Sequence, residues 1–179
     1  MDPIASLRLC AVDVELDGWL YTIPPLPAAA WIEAVLDVSG TAVVPGLMEH
    51  PQDRRSVIRA WMVGSLTSEQ IQDAARTVLG AASGWDWWTA DRIIRASTYP
   101  ETWPMISGEM TRRGIDLGRI SIGAYCNFVW AHALGNCEKE QDRMAFKWEM
   151  TRPPGDVDDD ELYDEQAEAT SFERDMANM

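Results

Sequence analysis

Three segments of this chain repeat one apolar spacing, and each is bracketed by residues that start or stop a helix. Ala28, Trp31, Ile32, Val35 and Leu36 fall at i, i+3, i+4, i+7 and i+8, after Pro27 and before Gly40. Such a stripe buries one side of a helix and wets the other. Ile71, Ala74, Ala75, Val78, Leu79 and Ala82 repeat the spacing, with Thr67 and Gln70 placed as a capping box and Gly84 beyond the end. The third copy is Ile122, Tyr125, Cys126, Val129, Trp130 and Ala133, led by Ser121. Val57, Ile58, Trp61 and Met62 after Pro51 predict a further helix, and Gln141, Met144, Ala145 and Trp148 predict the last one before Pro153-Pro154.

Strand signals are confined to the start. Val12, Val14 and Leu16 alternate toward Trp19, Tyr21 and Ile23 across Asp17-Gly18, a pair suited to a type I′ hairpin turn. The fold class is therefore mainly α, a compact bundle of five to seven short helices with a small N-terminal β-hairpin. No fixed-period repeat points to a solenoid.

Charge locates a boundary. From Asp156 onward stand ten acids against the single base Arg174, so nine of the chain's fourteen net negative charges lie in this stretch. Arg152-Pro153-Pro154-Gly155 breaks any helix before it. Residues 1 to about 152 read as the helical domain, and residues 153–179 as an acidic flexible tail. Leu162, Tyr163, Phe172 and Met176 are its apolar points, suited to ordering on a partner. So acidic a chain repels phosphate backbones, which disfavours nucleic acid as a partner unless the acidic surface mimics DNA. An acid near the N-terminus and the lack of any ~20-residue apolar run argue against secretion and membrane insertion.

The middle of the chain concentrates its aromatic surface in Gly84-Trp85-Asp86-Trp87-Trp88. On a helix from Asp86, the residues Trp87, Ala90, Ile93, Ile94 and Ser97 form an inward stripe. Trp85, Trp88, Arg92 and Arg95 follow at i, i+3, i+7 and i+10 on an adjacent face, where indole and guanidinium groups can stack. Two readings stay open: Trp88 covers a neighbouring helix of its own domain, or these four residues form a partner-binding face.

No chemistry declares itself. The histidines are His50, beside Pro51, and His132. Cys126, His132 and Cys137 lack the spacing and the fourth ligand of a zinc site, and three cysteines without a Cys-x-x-Cys pair suit a reducing compartment. Phosphate-loop, nucleophile-elbow, zinc-protease and dinucleotide motifs are missing. Asp86 is explained by a helix N-terminus and Asp91 by pairing with Arg95 at i+4. The expectation is a non-catalytic protein without cofactor or metal. Nine methionines and nine tryptophans on an acidic helical domain give the composition of one that holds an apolar client in solution.

Several of these motifs occur together in a known order. Gly84-x-x-Trp87-Trp88, Ile94-Arg95-Ala96, Trp103-Pro104, Gly114-Ile115-Asp116 and a Ser121-led helix follow one another. They are preceded by Asp17-Gly18-Trp19, Ile23-Pro24-Pro25-Leu26-Pro27-Ala28-Ala29 and Val44-Pro45-Gly46-Leu47. Over roughly residues 10 to 155 this pattern resembles tail assembly chaperones of long-tailed phages of actinobacteria. Those proteins more often carry a Gly-Arg-Pro-Trp-Trp-Trp run, where Trp85-Asp86 stands here. The resemblance implies a chaperone that binds and solubilises the tape measure protein, helps recruit tail tube subunits and self-associates on its client. It further implies residence in the host cytoplasm and absence from the mature virion. Related chaperones are often made in two lengths by a programmed frameshift, and Arg152-Pro153-Pro154 is a suitable place for the ribosome to slip. The alternative is a structural head-to-tail connector component that stays in the virion.

Overall fold

In a computed structural model of the chain, which describes residues 9–36 and 43–154, the turn at Asp17-Gly18 sets the first element. Both residues take positive φ, 54° and 74°, as a type I′ turn requires. Strands β1 (Val12–Leu16) and β2 (Trp19–Ile23) pair antiparallel, with Val12 opposite Ile23, Val14 opposite Tyr21 and Leu16 opposite Trp19. Eight helices follow among the described residues: α1 (Ala28–Leu36), α2 (Val43–Leu47), α3 (Pro51–Met62), α4 (Ser68–Ser83), α5 (Trp87–Thr98), α6 (Trp103–Arg112), α7 (Ile122–Asn136) and α8 (Glu140–Thr151). The mainly helical class with an N-terminal hairpin is thus the observed one. The acidic segment read as a tail lies outside the described residues, except for Pro153 and Pro154.

The core sits where the hairpin, α1, α4, α5 and α7 meet. β1 lays Val12, Val14 and Leu16 on α4, and Trp31, Ile71, Ile93, Ile94, Ile122 and Tyr125 are fully buried. In α1, Ala28, Trp31, Ile32 and Val35 are inside, but Leu36 at its end is exposed. α4 buries Ile71, Ala74, Ala75, Val78 and Leu79 and also Ser83, with Ala82 half-buried. In α7 the buried set is Ile122, Gly123, Tyr125, Cys126 and Val129, while Trp130 and Ala133 are half-buried.

Helix ends follow the expected chemistry at α4. Gln70 N–H donates to Thr67 Oγ1 at 3.1 Å and Thr67 N–H to Gln70 Oε1 at 2.8 Å, a complete capping box. Gly84 closes the helix at φ 71°, its N–H on the Gly80 carbonyl. A side chain there is strained, so Gly84→Ala should lower stability by about 1–2 kcal/mol, read as a shift in the urea midpoint. An unshifted midpoint would mean that the left-handed cap is not held. Ser121 caps α7 by accepting from Ala124 N–H.

Two helices carry their apolar residues differently from the expected pattern. On α3 only Val57 is buried, and Ile58, Trp61 and Met62 are exposed. α8 buries nothing: Gln141, Met144, Ala145 and Trp148 face solvent, while Arg143, Phe146 and Met150 are half-buried on the opposite side. The phase of α8 is set by contacts from α5 and α7 rather than by its own apolar stripe.

Candidate partner-binding face

The inner side of α5 is made by Thr89, Ala90, Ile93, Ile94 and Ser97. Thr89 takes the place expected of Trp87, which is half-buried beside α4 with the Arg76 guanidinium 4.8 Å above its ring. At the α4–α5 corner a Cβ on Gly80 would lie 3.4 Å from the Trp85 carbonyl oxygen and 3.8 Å from the Trp87 Cβ, both ordinary contact distances. Ser97 Oγ lies 2.7 Å from Tyr125 Oη in the core and also reaches the Ile94 carbonyl at 2.9 Å. Asp86 precedes the helix without a side-chain cap bond.

The four residues expected on the adjacent face do lie along one side of α5 and its approach, and each makes its polar contact within the chain. Trp85 donates its indole N–H to Asn127 Oδ1 at 3.0 Å, with its ring 5.1 Å from Trp130. Trp88 Nε1 donates to the Thr151 carbonyl at 3.0 Å. Arg92 Nη1 donates to the carbonyls of Glu149 at 2.8 Å and Arg152 at 2.7 Å, and lies 3.4 Å from that of Met150. Arg95 Nε donates to both carboxylate oxygens of Asp91, at 2.9 and 3.0 Å, and Nη2 donates to the Val35 carbonyl at 2.9 Å.

The main-chain contacts of Trp88, Arg92 and Arg95 share one physical origin. The last four carbonyls of a helix have no intrahelical donor and carry the negative end of its dipole, so a guanidinium placed there satisfies both. Arg92 and Trp88 do this for α8, and Arg95 for α1. Arg54 does it for α2, reaching Gly46 O at 3.3 Å and Met48 O at 3.1 Å. Trp88 thus lies against the end of α8 within the chain.

The large apolar side chains that stand in solvent are elsewhere. Trp19 is 69% and Leu20 70% exposed at the hairpin tip, and Met62 is 79% and Val63 71% exposed where α3 ends. Met144 and Trp148 are exposed on α8. Leu20 was legible: period-two alternation places it on the strand face opposite Tyr21.

Perturbed titratable groups lie in the core and at one surface fork. Burial pushes the Tyr125 hydroxyl up to about 12, against the opposing hydrogen bond from Ser97, and pushes the Cys126 thiol up to about 12. Glu109 is held down at about 2 by hydrogen bonds from Arg112 and then Arg113, at 2.6–2.8 Å. His132 Nε2 pairs with Asn136 Nδ2 and Cys137 Sγ with the Ala133 carbonyl, while Cys126 is enclosed in the core. Among the described residues no three His, Cys, Asp or Glu side chains are gathered as metal ligands, and no helix is long and apolar enough to cross a membrane.

The sign of the alkaline response follows. Tyr125 and Cys126 keep their protons to higher pH folded than unfolded, where the thiol starts near 9.0 and the phenol near 10.0. Stability is full below these values and falls as pH rises toward about 12, because the unfolded chain loses protons first. The urea midpoint should therefore decline from about pH 9 upward. A Tyr125→Phe, Cys126→Ala double variant should show a shallower decline, and an unchanged slope would refute the assignment.

Compared with protein-family models, with curated proteins and with solved structures, the chain matches none.

Proposed function

We propose that this protein is a non-catalytic tail assembly chaperone, which binds and solubilises the tape measure protein in the host cytoplasm and helps recruit tail tube subunits. The observation that carries the reading is the exposure of large apolar side chains, foremost Trp19 and Leu20 at the hairpin tip. Large apolar side chains at a loop tip are suited to being covered by a partner. A long amphipathic client helix would lay its apolar side against them. Exposed methionines adapt to irregular client sequence. A net charge of −14 keeps coated complexes apart in solution. The order of motifs shared with phage chaperones supports the choice of client. Departure from the finished tail needs no energy source if tube polymerisation around the tape measure protein is itself favourable.

The test is co-expression with the tape measure protein. The chaperone reading expects the client to move from the insoluble to the soluble fraction, and the protein to be absent from purified virions. A Trp19→Ser, Leu20→Ser variant should lose solubilising power while its stability stays within about 0.5 kcal/mol, as for other exposed positions. Fixed copies in the virion would replace this reading with a head-to-tail connector.

A further inference from the structure

Positive charge is scarce in this chain, 15 bases against 29 acids, and most of the described cations are occupied within the fold. Arg76, Arg95, Arg112, Arg113, Arg119 and Arg143 sit in ion pairs, Arg54 and Arg92 on helix-end carbonyls, and Arg152 over Trp148. Among the described residues, Arg55, Arg59, Lys139 and Lys147 alone make no side-chain hydrogen bond, ion pair or ring contact. Two of these four share one side of α3.

Arg55, Ile58, Arg59 and Met62 fall at i, i+3, i+4 and i+7, with Val63 just past the helix, and all are exposed. The stripe faces away from Val57, the one buried residue of α3. It joins two free guanidinium groups a turn apart to three exposed apolar side chains. A matching ligand carries many carboxylates around a few apolar residues. The chain contains that ligand: residues 156–176 hold ten acids against one base, together with Leu162, Tyr163, Phe172 and Met176.

We propose that the acidic segment 156–176 docks in cis on the outer face of α3, its carboxylates on Arg55 and Arg59 and its apolar side chains on Ile58, Met62 and Val63. Reach permits it. The 22 residues from Pro154 to Met176 extend to about 70 Å at ~3.3 Å each, beyond the roughly 60 Å half-circumference of a domain about 40 Å across. Exposed ion pairs are individually weak, which disfavours a separate partner. A tethered segment needs far less affinity, because its local concentration is of millimolar order. Docking of the tail does not depend on the chaperone reading, since it is a property of the chain without client.

The experiment is zero-length carbodiimide cross-linking of the full chain carrying Arg55→Lys and Arg59→Lys, which keep the charge and supply amines. The expected product is an amide between position 55 or 59 and a carboxylate in 156–176, found in the monomer. It should dominate over links from Lys139 and Lys147 to the same segment and be lost at about 1 M salt, where the screening length is about 3 Å. No such link, equal links from Lys139 and Lys147, or a link confined to covalent dimers would overturn docking in cis. The unaltered protein gives an independent readout. At low salt peroxide should oxidise Met62 more slowly than Met144 although Met62 is the more exposed, and about 1 M salt should abolish the difference. A Met62 to Met144 rate ratio indifferent to salt would overturn the proposal as well.

Discussion

Trp31→Ala should lower folding stability by about 3–5 kcal/mol, the range for emptying a buried aromatic site. Trp31 is 2% exposed on a nine-residue helix. A helix that short is unstable alone and stands only through what it packs against. For α1 these are α2, α5 and α7, with Ala28 N–H on the Ile120 carbonyl at 2.8 Å and Ala29 N–H on that of Leu117 at 3.2 Å. Removing the indole leaves a void at the junction of those elements, and they cannot all close into it. Against the ~5–15 kcal/mol of a typical domain the loss is about a fifth or more. Urea unfolding would show a lowered midpoint at unchanged slope. Trp19→Ala, at an exposed position, is the control and should stay within about 0.5 kcal/mol. Equal effects from the two changes would place Trp31 outside the core.

Arg92→Ala should detach the last helix and leave the rest standing. α8 has no buried residue. Besides the Trp88 and Arg92 contacts, its ties to the body are the Phe146 ring 5.2 Å from Trp130 and a 3.3 Å bond from Arg143 Nε to the Leu134 carbonyl. Charge-assisted hydrogen bonds contribute about 1.5–3 kcal/mol each, so losing Arg92 removes a large part of what holds this end. Amide hydrogen exchange should then show α8 losing protection while α1, α4 and α7 keep theirs. Arg92→Lys should restore protection only in part, since one ammonium cannot reproduce the fixed fork of a guanidinium. Full protection of α8 in Arg92→Ala would mean that Trp88, Phe146 and Arg143 suffice.

What could be read from the sequence follows a physical division. The stripes of α1, α4 and α7 were legible because each buries its apolar side in one core, and the α4 cap because Thr67 and Gln70 need only local geometry. The hairpin register was legible because Asp17-Gly18 fixes it. α6 was not among the expected helices, though Pro104 at its start and Ile106 and Met110 one turn apart, both buried, are signals that could have found it. By contrast α2 is five residues long and contains Pro45 and Gly46, so its form comes from its surroundings. The phase of α8 was hidden because donors from α5 meet its main chain, and main-chain acceptors leave no trace in residue type. The spacing of Trp85, Trp88, Arg92 and Arg95 does not reveal that each has a polar partner about forty to sixty residues away in the same chain. Nor does an apolar spacing on α3 tell whether Ile58 and Met62 face a core or water.

The grip of α5 on the end of α8 acts on main-chain oxygens alone, those of residues 149 to 152. It registers the direction and closure of a helix end and ignores which letters compose it. Positions 149 and 151, both exposed, are consequently free to drift as long as the last turn stays helical, whereas Trp88 and Arg92 are not. The junction after Arg152 is then a neutral splice point: any continuation, long or short, acidic or not, inherits the same anchorage without the body having to co-adapt.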